Sequence, residues 1–288
     1  MSDLPRLPPR DRTGHKGDYG RALLVGGSRG MTGAIAMAGM AALRGGAGLV
    51  TLAVPRTVQD IVATYHPAAM TLGLSDDGDR FKSAAADELL RHSQSATVLA
   101  LGPGLGRSVD LTQLVERLYR EISQPMIIDA DGLNALAERP NALAQPGGPR
   151  ILTPHPAEFA RLFGGGLKAA DVATHEQDRV HFAGELARRD PAGRTVVVLK
   201  GHLTVIADSK RHSINETGNP GMATGGTGDV LTGLIAALVC QNLDLWDAAR
   251  LGVYLQGKAG DLAAEEFGEV SLTATDLIDF LPAAFQSL

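Results

Sequence analysis

The sequence holds 288 residues, 35 of them glycine and only 12 aromatic (7 Phe, 4 Tyr, 1 Trp), so glycine exceeds the roughly 7% that is usual. Hydrophobic residues make 44% and charged residues 20%, and the glycines follow no period of three, which excludes disordered and collagen-like chains. The balance of 27 basic against 32 acidic side chains, net −5, contains no basic block and speaks against a nucleic-acid footprint.

The first 13 residues, MSDLPRLPPRDRT, are polar and proline-rich, lack the apolar centre of a signal peptide, and are expected to form a flexible tail. After them, short apolar runs over 22–25, 49–54, 70–74, 97–101, 126–129, 151–153 and 195–200 read as strands. Most are continuously apolar, as in a parallel sheet covered on both faces. Helical patterns over 32–44, 80–92, 108–122, 131–138, 156–163 and 172–189 lie between them. The alternation predicts an α/β fold with a mostly parallel central sheet flanked by helices on both faces. Segments 203–208 and 212–216 then read as a hairpin around Ser209-Lys210-Arg211, and helices over 229–241, 245–267 and 275–285 close the chain.

No Pro/Gly/Ser linker divides residues 14–288, so one domain is expected there. The lone Cys240 excludes an internal disulfide and a cysteine zinc site. The apolar runs at 33–43 and 234–240 are too short to span a bilayer, so a soluble, cytoplasmic protein is expected. The apolar helix around 33–43 would also permit a buried subunit contact.

Glycine is concentrated at 26–30, 102–106, 164–166 and 218–228. The third cluster reads as plain turn chemistry. The others join a strand to a helix, where backbone can come close to phosphate or sugar. In the last, Gly225-Gly226-Thr227-Gly228-Asp229 feeds an apolar helix. Free N–H groups and the helix dipole there make an anion hole, and Asp229 could do more than cap the helix. No G-x-x-x-x-G-K-[ST] occurs, which excludes a P-loop NTPase. Asp129 lies 27 positions after Gly102, near the spacing of a ribose-binding acid. The spacing G-x-G-x-G with an internal proline leaves that dinucleotide site as the alternative.

The run Asn219-Pro220-Gly221-Met222-Ala223-Thr224-Gly225-Gly226-Thr227-Gly228-Asp229 resembles the signature of the ADP/ATP-dependent NAD(P)H-hydrate dehydratases of the ribokinase-like superfamily. Gly45-Gly46-Ala47-Gly48, Gly102-Pro103-Gly104-Leu105-Gly106, Asp129-Ala130-Asp131-Gly132-Leu133-Asn134, Thr153-Pro154-His155-Pro156 and Lys200-Gly201-His202 agree with it in order. The resemblance implies repair of the S-epimer of hydrated NADH or NADPH. The hydroxyl is phosphorylated, then phosphate leaves and the ring double bond re-forms, with ADP expected as donor ahead of ATP. Fused relatives carry an epimerase ahead of this domain, and the short segment before Gly14 implies dehydratase activity alone.

By the same resemblance Asp229 is the base, and Gly226, Thr227 and Gly228 form the anion hole. Lys200, Gly201, His202, Leu203, Thr204 and Gly228 bind the nucleotide; Ala34, Gly104, His155 and Asp229 bind the substrate. A helix N-terminus lowers a carboxylate pKa, so Asp229 is expected to be ionised at pH 7 and weakly basic. Asn134 and Glu158 have adequate structural explanations as helix-start residues. Magnesium is expected on the nucleotide phosphates and waters, with no direct protein ligand, and a homotetramer follows from resemblance alone. The rivals are a thiazole- or pyrimidine-type kinase of the same superfamily, and a non-catalytic dinucleotide-binding protein.

Overall fold

The computed structural model describes residues 4–173 and 175–288. In chain order its first elements are β1 (Arg21–Val25), α1 (Thr32–Arg44), β2 (Leu49–Pro55), α2 (Gln59–Ala63), β3 (Met70–Leu74), α3 (Ala85–Ser93), β4 (Val98–Leu101) and α4 (Val109–Glu121). Then come β5 (Met126–Ile128), α5 (Ala130–Ala137), β6 (Arg150–Leu152), α6 (Pro156–Phe163), α7 (Ala169–Ala173), α8 (Glu176–Ala187) and β7 (Thr195–Leu199). β8 (Thr204–Ala207), β9 (His212–Asn215), α9 (Thr227–Cys240), α10 (Leu245–Phe267) and α11 (Ala274–Gln286) complete the chain.

The strands form one sheet in the order β3-β2-β1-β4-β5-β6-β7-β8-β9. β1 to β7 run parallel, and β8 and β9 add as an antiparallel hairpin. Every residue of β4, β5, β6 and β7 is buried, because alternate side chains serve two cores. Ala22 and Leu24 of β1 join one core with α1, α2, α9, α10 and α11; Leu23 and Val25 join the other with α3 to α8. The α/β expectation with helices on both faces therefore holds. β3 departs from it, since it is an edge strand and Met70 is 46% exposed.

Two helical expectations shift. The pattern at 80–92 forms a helix only from Ala85, because Phe81 is instead drawn into a bridge with Asp76. The pattern at 172–189 divides into α7 and α8, although buried Val172, Arg179, Ala183 and Leu186 keep one helical register across the break. Thr174 and residues 1–3 lie outside the described residues. Over the apolar run at 33–43, α1 lies so close on α9 that a Cβ on Gly233 would stand 1.9 Å from the Ala38 carbonyl. Within the first 13 residues, Arg10 donates to the Gly46 carbonyl and stacks over Tyr19.

The chain adds β2 and β3 on one side of β1 and β4 on the other, so the sheet reverses its winding between β1 and β4. The two loops leaving those strands are bonded to each other, Gly27 N–H to the Pro103 carbonyl at 2.9 Å and Ser28 N–H to the Gly104 carbonyl at 2.6 Å. A Cβ on Gly26 would lie 2.0 Å from the Pro103 carbonyl oxygen, so only glycine allows this approach.

Candidate active site

α9 begins two residues earlier than its hydrophobic pattern predicts. Gly226 caps it in a left-handed conformation (φ 96°), and Asp229 becomes its third residue. Among the described residues no hydrogen bond engages the N–H groups of Gly226, Thr227 or Gly228. Their partial positive charge adds to the helix dipole and makes a ready anion site. Gln256 Nε2 of α10 donates to the Thr227 carbonyl at 2.5 Å and holds this turn, while the Thr227 hydroxyl is buried with no partner among the described residues.

The charge beneath the turn comes from β5 and β7. Asp129, the residue after β5, is 1% exposed. Lys200 Nζ reaches its Oδ1 at 2.6 Å and Thr232 Oγ1 of α9 donates to its Oδ2 at 2.8 Å. A Cβ on Gly228 would lie 3.1 Å from Lys200 Nζ, so the ammonium sits directly against the start of α9. Burial alone would depress the Lys200 pKa, yet Asp129 and Glu158 outweigh it and hold the value above the usual range.

Asp229 reverses the sequence expectation. Burial first, then the negative charges of Asp129, Asp131 and Glu158, push its pKa up to about 7 against the opposing pull of Lys200. Desolvation exceeds the helix dipole because the dipole is a partial charge, whereas burial acts on the whole carboxylate. His155 caps α6: its Nδ1 accepts the N–H groups of Ala157 (3.1 Å) and Glu158 (3.4 Å), while Glu158 Oε2 accepts the His155 N–H at 2.9 Å. Burial and the nearby Lys200 and Arg161 lower the His155 pKa, so the imidazole is neutral at pH 7. Burial raises the Glu158 pKa.

A cleft of about 640 Å³ opens between this turn, the β7–β8 loop and α10. Its walls include His155, Lys200, Gly201, His202, Leu203, Thr204, Thr227 and Gly228, so the structure gathers every residue expected at the nucleotide in one cavity. Gly226 and Asp229 adjoin it in the first turn of α9. Ala34 and Gly104 lie apart from that cavity, at the junction of the β1 and β4 loops. A Cβ on Gly104 would stand 3.1 Å from the Ala34 Cβ, which brings these two together. Asp131 ties that loop to α5 by accepting the Gly106 N–H at 2.8 Å. Asn134 Nδ2 donates to Asp131 at 3.2 Å and the Asn134 oxygen accepts from Arg161, which is a structural role. The glycines at 164–166 all have positive φ with open space around them, the mark of a plain turn.

Several cleft residues escape a sequence reading. Asn215 and Thr217 at the end of the hairpin, Met222, Leu231, Val253 and Gln256 all line it. Asp129 stood in the sequence as the acid of an alternative ribose site and as the first residue of a segment that agrees with the family, without a role at the centre. Its position directly after a fully buried strand was the one signal that could have marked it for the centre.

Among the described residues no three His, Cys, Asp or Glu side chains are grouped to hold a metal ion, and no helix is long and apolar enough to cross a membrane. A family model for NAD(P)H-hydrate dehydratase matches residues 22–283. The bifunctional NAD(P)H-hydrate repair enzyme Nnr of Moorella thermoacetica is 48% identical over 286 residues, covering 98% of this chain and 52% of the relative. Its namesake from Escherichia coli is 40% identical over 276 residues, covering 96% and 49%. The chain spans about half the length of the curated relatives it matches. The solved ADP/ATP-dependent NAD(P)H-hydrate dehydratase of Bacillus subtilis, co-crystallised with ATP and Mg2+, superposes with a TM-score of 0.79 at 33% identity, covering 98% of this chain and 94% of that one. A hydroxyethylthiazole kinase from Pyrococcus horikoshii, at 17% identity, a TM-score of 0.55 and coverage of 87% and 93%, shares the fold alone. The kinase rival thus matches in architecture only, whereas sequence and structure together show that the chain belongs to the NAD(P)H-hydrate dehydratase family.

Proposed function

We propose that residues 14–288 form one catalytic domain that dehydrates the S-epimer of hydrated NADH or NADPH at the expense of a nucleoside phosphate. ADP is the proposed donor, giving AMP and phosphate. The observation that carries the reading is the start of α9: three unengaged N–H groups, a carboxylate with a pKa near 7, and Lys200 against the same turn.

Asp229 takes the proton of the hydrate hydroxyl while that oxygen attacks the terminal phosphorus of the nucleotide. A base with a pKa near the working pH is matched to that task. The N–H groups of Gly226, Thr227 and Gly228, with Lys200 beside them, take up the charge spread over the phosphoryl oxygens. The phosphate then leaves the ring, a proton leaves the adjacent carbon, and the double bond returns. Lys200, Gly201, His202, Leu203, Thr204 and Gly228 hold the nucleotide; Ala34, Gly104, His155 and Asp229 hold the hydrated dinucleotide. Neutral His155 carries its proton on Nε2, since Nδ1 is occupied by the α6 cap, and that N–H faces Glu158 Oε1 at 3.3 Å.

The donor set fits magnesium carried on nucleotide phosphates and waters better than a protein-built cage, because Asp129 is consumed by Lys200 and Thr232. Bound there, magnesium would neutralise phosphate charge. A cytoplasmic location and a homotetramer belong to the same reading. The buried free thiol of Cys240 suits a reducing compartment, and exposed Met31, Ile61, Tyr65 and Met70 offer apolar surface for assembly.

The test is incubation with hydrated NADH or NADPH and either ADP or ATP. Recovery of reduced-nicotinamide absorbance with release of inorganic phosphate is the expected result. No recovery with either nucleotide overturns the reading, and accumulation of a phosphorylated hydrate makes the protein a kinase.

A further inference from the structure

The loop from Lys200 to Leu203 turns the chain from β7 into β8 along the cleft wall. Gly201 has φ 140°, and Leu203, which carries a Cβ, is held at φ 54°. Such a backbone persists only where its surroundings fix it.

Arg179, in the first turns of α8, is 7% exposed and lies directly against this loop. Its Nη2 donates to the carbonyls of Leu199 (3.0 Å) and Lys200 (3.3 Å), and its Nη1 to that of His202. Thr204 Oγ1 donates to the carbonyl between them, that of Gly201, at 2.9 Å. Four consecutive carbonyls are therefore held by side-chain donors. The other edge of the same loop is the opposite: among the described residues no hydrogen bond engages the N–H groups of Gly201, His202 or Leu203. A turn whose acceptors are all occupied and whose donors are all open is built for an anion. Among the described residues the guanidinium forms no salt bridge, and the negative charge of Glu176 acts on it from the start of α8.

We propose that Arg179 is a positioning residue for the nucleotide: it holds the acceptor edge of the 199–202 turn away from the polyphosphate and leaves the donor edge and Lys200 to meet it. The inference rests on the nucleotide reading of the cleft. Arg179 is outside that cleft's lining.

The test compares wild type, Arg179→Lys and Arg179→Met by nucleotide titration, by steady-state kinetics in each substrate separately, and by thermal melting. Arg179→Met removes all three donations to the loop and is expected to raise the nucleotide KM about tenfold or more. The KM for the hydrated dinucleotide should stay within about twofold, a change too small to mark a lost contact. Arg179→Lys keeps the charge but not the fork, and should recover part of the loss. An unchanged nucleotide KM in a folded variant overturns the proposal, as does an equal rise in both KM values, which marks general loosening. Should Arg179→Met not fold, Arg179→Lys is read by the same two criteria. A wild type that binds neither ADP nor ATP instead sinks the nucleotide reading itself, and the two failures are thereby distinguished.

Discussion

Lys200 Nζ lies 2.6 Å from Asp129 Oδ1, and Thr232 closes the other carboxylate oxygen from α9. β5, β7 and α9 thus meet in one buried polar junction at the carboxyl edge of the sheet. The pair is stable because each charge answers the other where water is largely excluded. Removing one partner strands the other, so Asp129→Ala should cost about 3–5 kcal/mol in urea unfolding. Lys200→Met should also destabilise, and the double variant should lose less than the sum of the singles by about 1 kcal/mol or more. Strict additivity would show that the two charges are not coupled.

Asp229 gives a prediction in pH. Its pKa is raised to about 7, so the basic form is lost as pH falls through 7, and the rate at saturating substrate should fall with it. Asp129→Asn removes one raising charge and should move that limb to lower pH. Asp229→Asn should lower kcat by roughly 10²–10⁴. The sign for stability is opposite. An acid whose folded pKa lies above its unfolded value of 3.8 opposes folding increasingly from about pH 4 to pH 7, and by a constant amount above that. At pH 8 Asp229→Asn should therefore be more stable by about 1–3 kcal/mol, with the gain vanishing towards pH 4. A flat rate profile between pH 6 and 8 would remove Asp229 as the titrating base.

The contrast between Asp229 and Asp129 shows what a sequence can carry. The strands, the hairpin, the glycine clusters and the position of Asp229 after Gly-Gly-Thr-Gly were all legible, because they depend on local periodicity and backbone need. The pKa of Asp229 was not, since it depends first on burial and then on Asp129, Asp131 and Glu158, which reach it from other elements. Arg179 was hidden for the same reason: in a helical pattern it reads as a solvated arginine, and only the packing of α8 on β7 and β8 turns it inward. The nucleotide residues came together as one wall because five of them are consecutive, whereas Asn215, Met222, Val253 and Gln256 come from three separate segments.

Asp261 of α10 fixes the segment that closes the cleft on its far side. Its Oδ2 accepts the Gly218 N–H at 3.0 Å and its Oδ1 the Asn219 Nδ2 at 3.1 Å. Both bonds are charge-assisted and part-exposed, so Asp261→Ala should cost about 1–2 kcal/mol in stability. Gly218, Asn219 and Met222 line the cleft, so nucleotide KM should rise several-fold while kcat changes little. A change confined to kcat would mean that this segment acts on the chemical step instead.

Gly226→Ala tests the geometry of the anion hole without altering any charge. Gly226 has φ 96°, and its Cβ position lies 2.4 Å from Met37 Cε and 3.0 Å from the Ala274 Cβ. Methionine can swing aside, but Ala274 sits at the start of α11 and cannot. The backbone must therefore rotate or the helices must part, and strain of this kind costs about 1–3 kcal/mol. Rotation would turn the N–H groups of Gly226 and Thr227 away from the position where a phosphoryl group is to be held. Loss of one such donor typically removes about 10²–10³ in kcat. The expected outcome is a modestly less stable protein whose kcat falls by that order, measured on variant that retains its nucleotide affinity through Lys200 and the β7–β8 loop. Full activity in a folded Gly226→Ala protein would mean that the first turn of α9 does not hold the phosphoryl group.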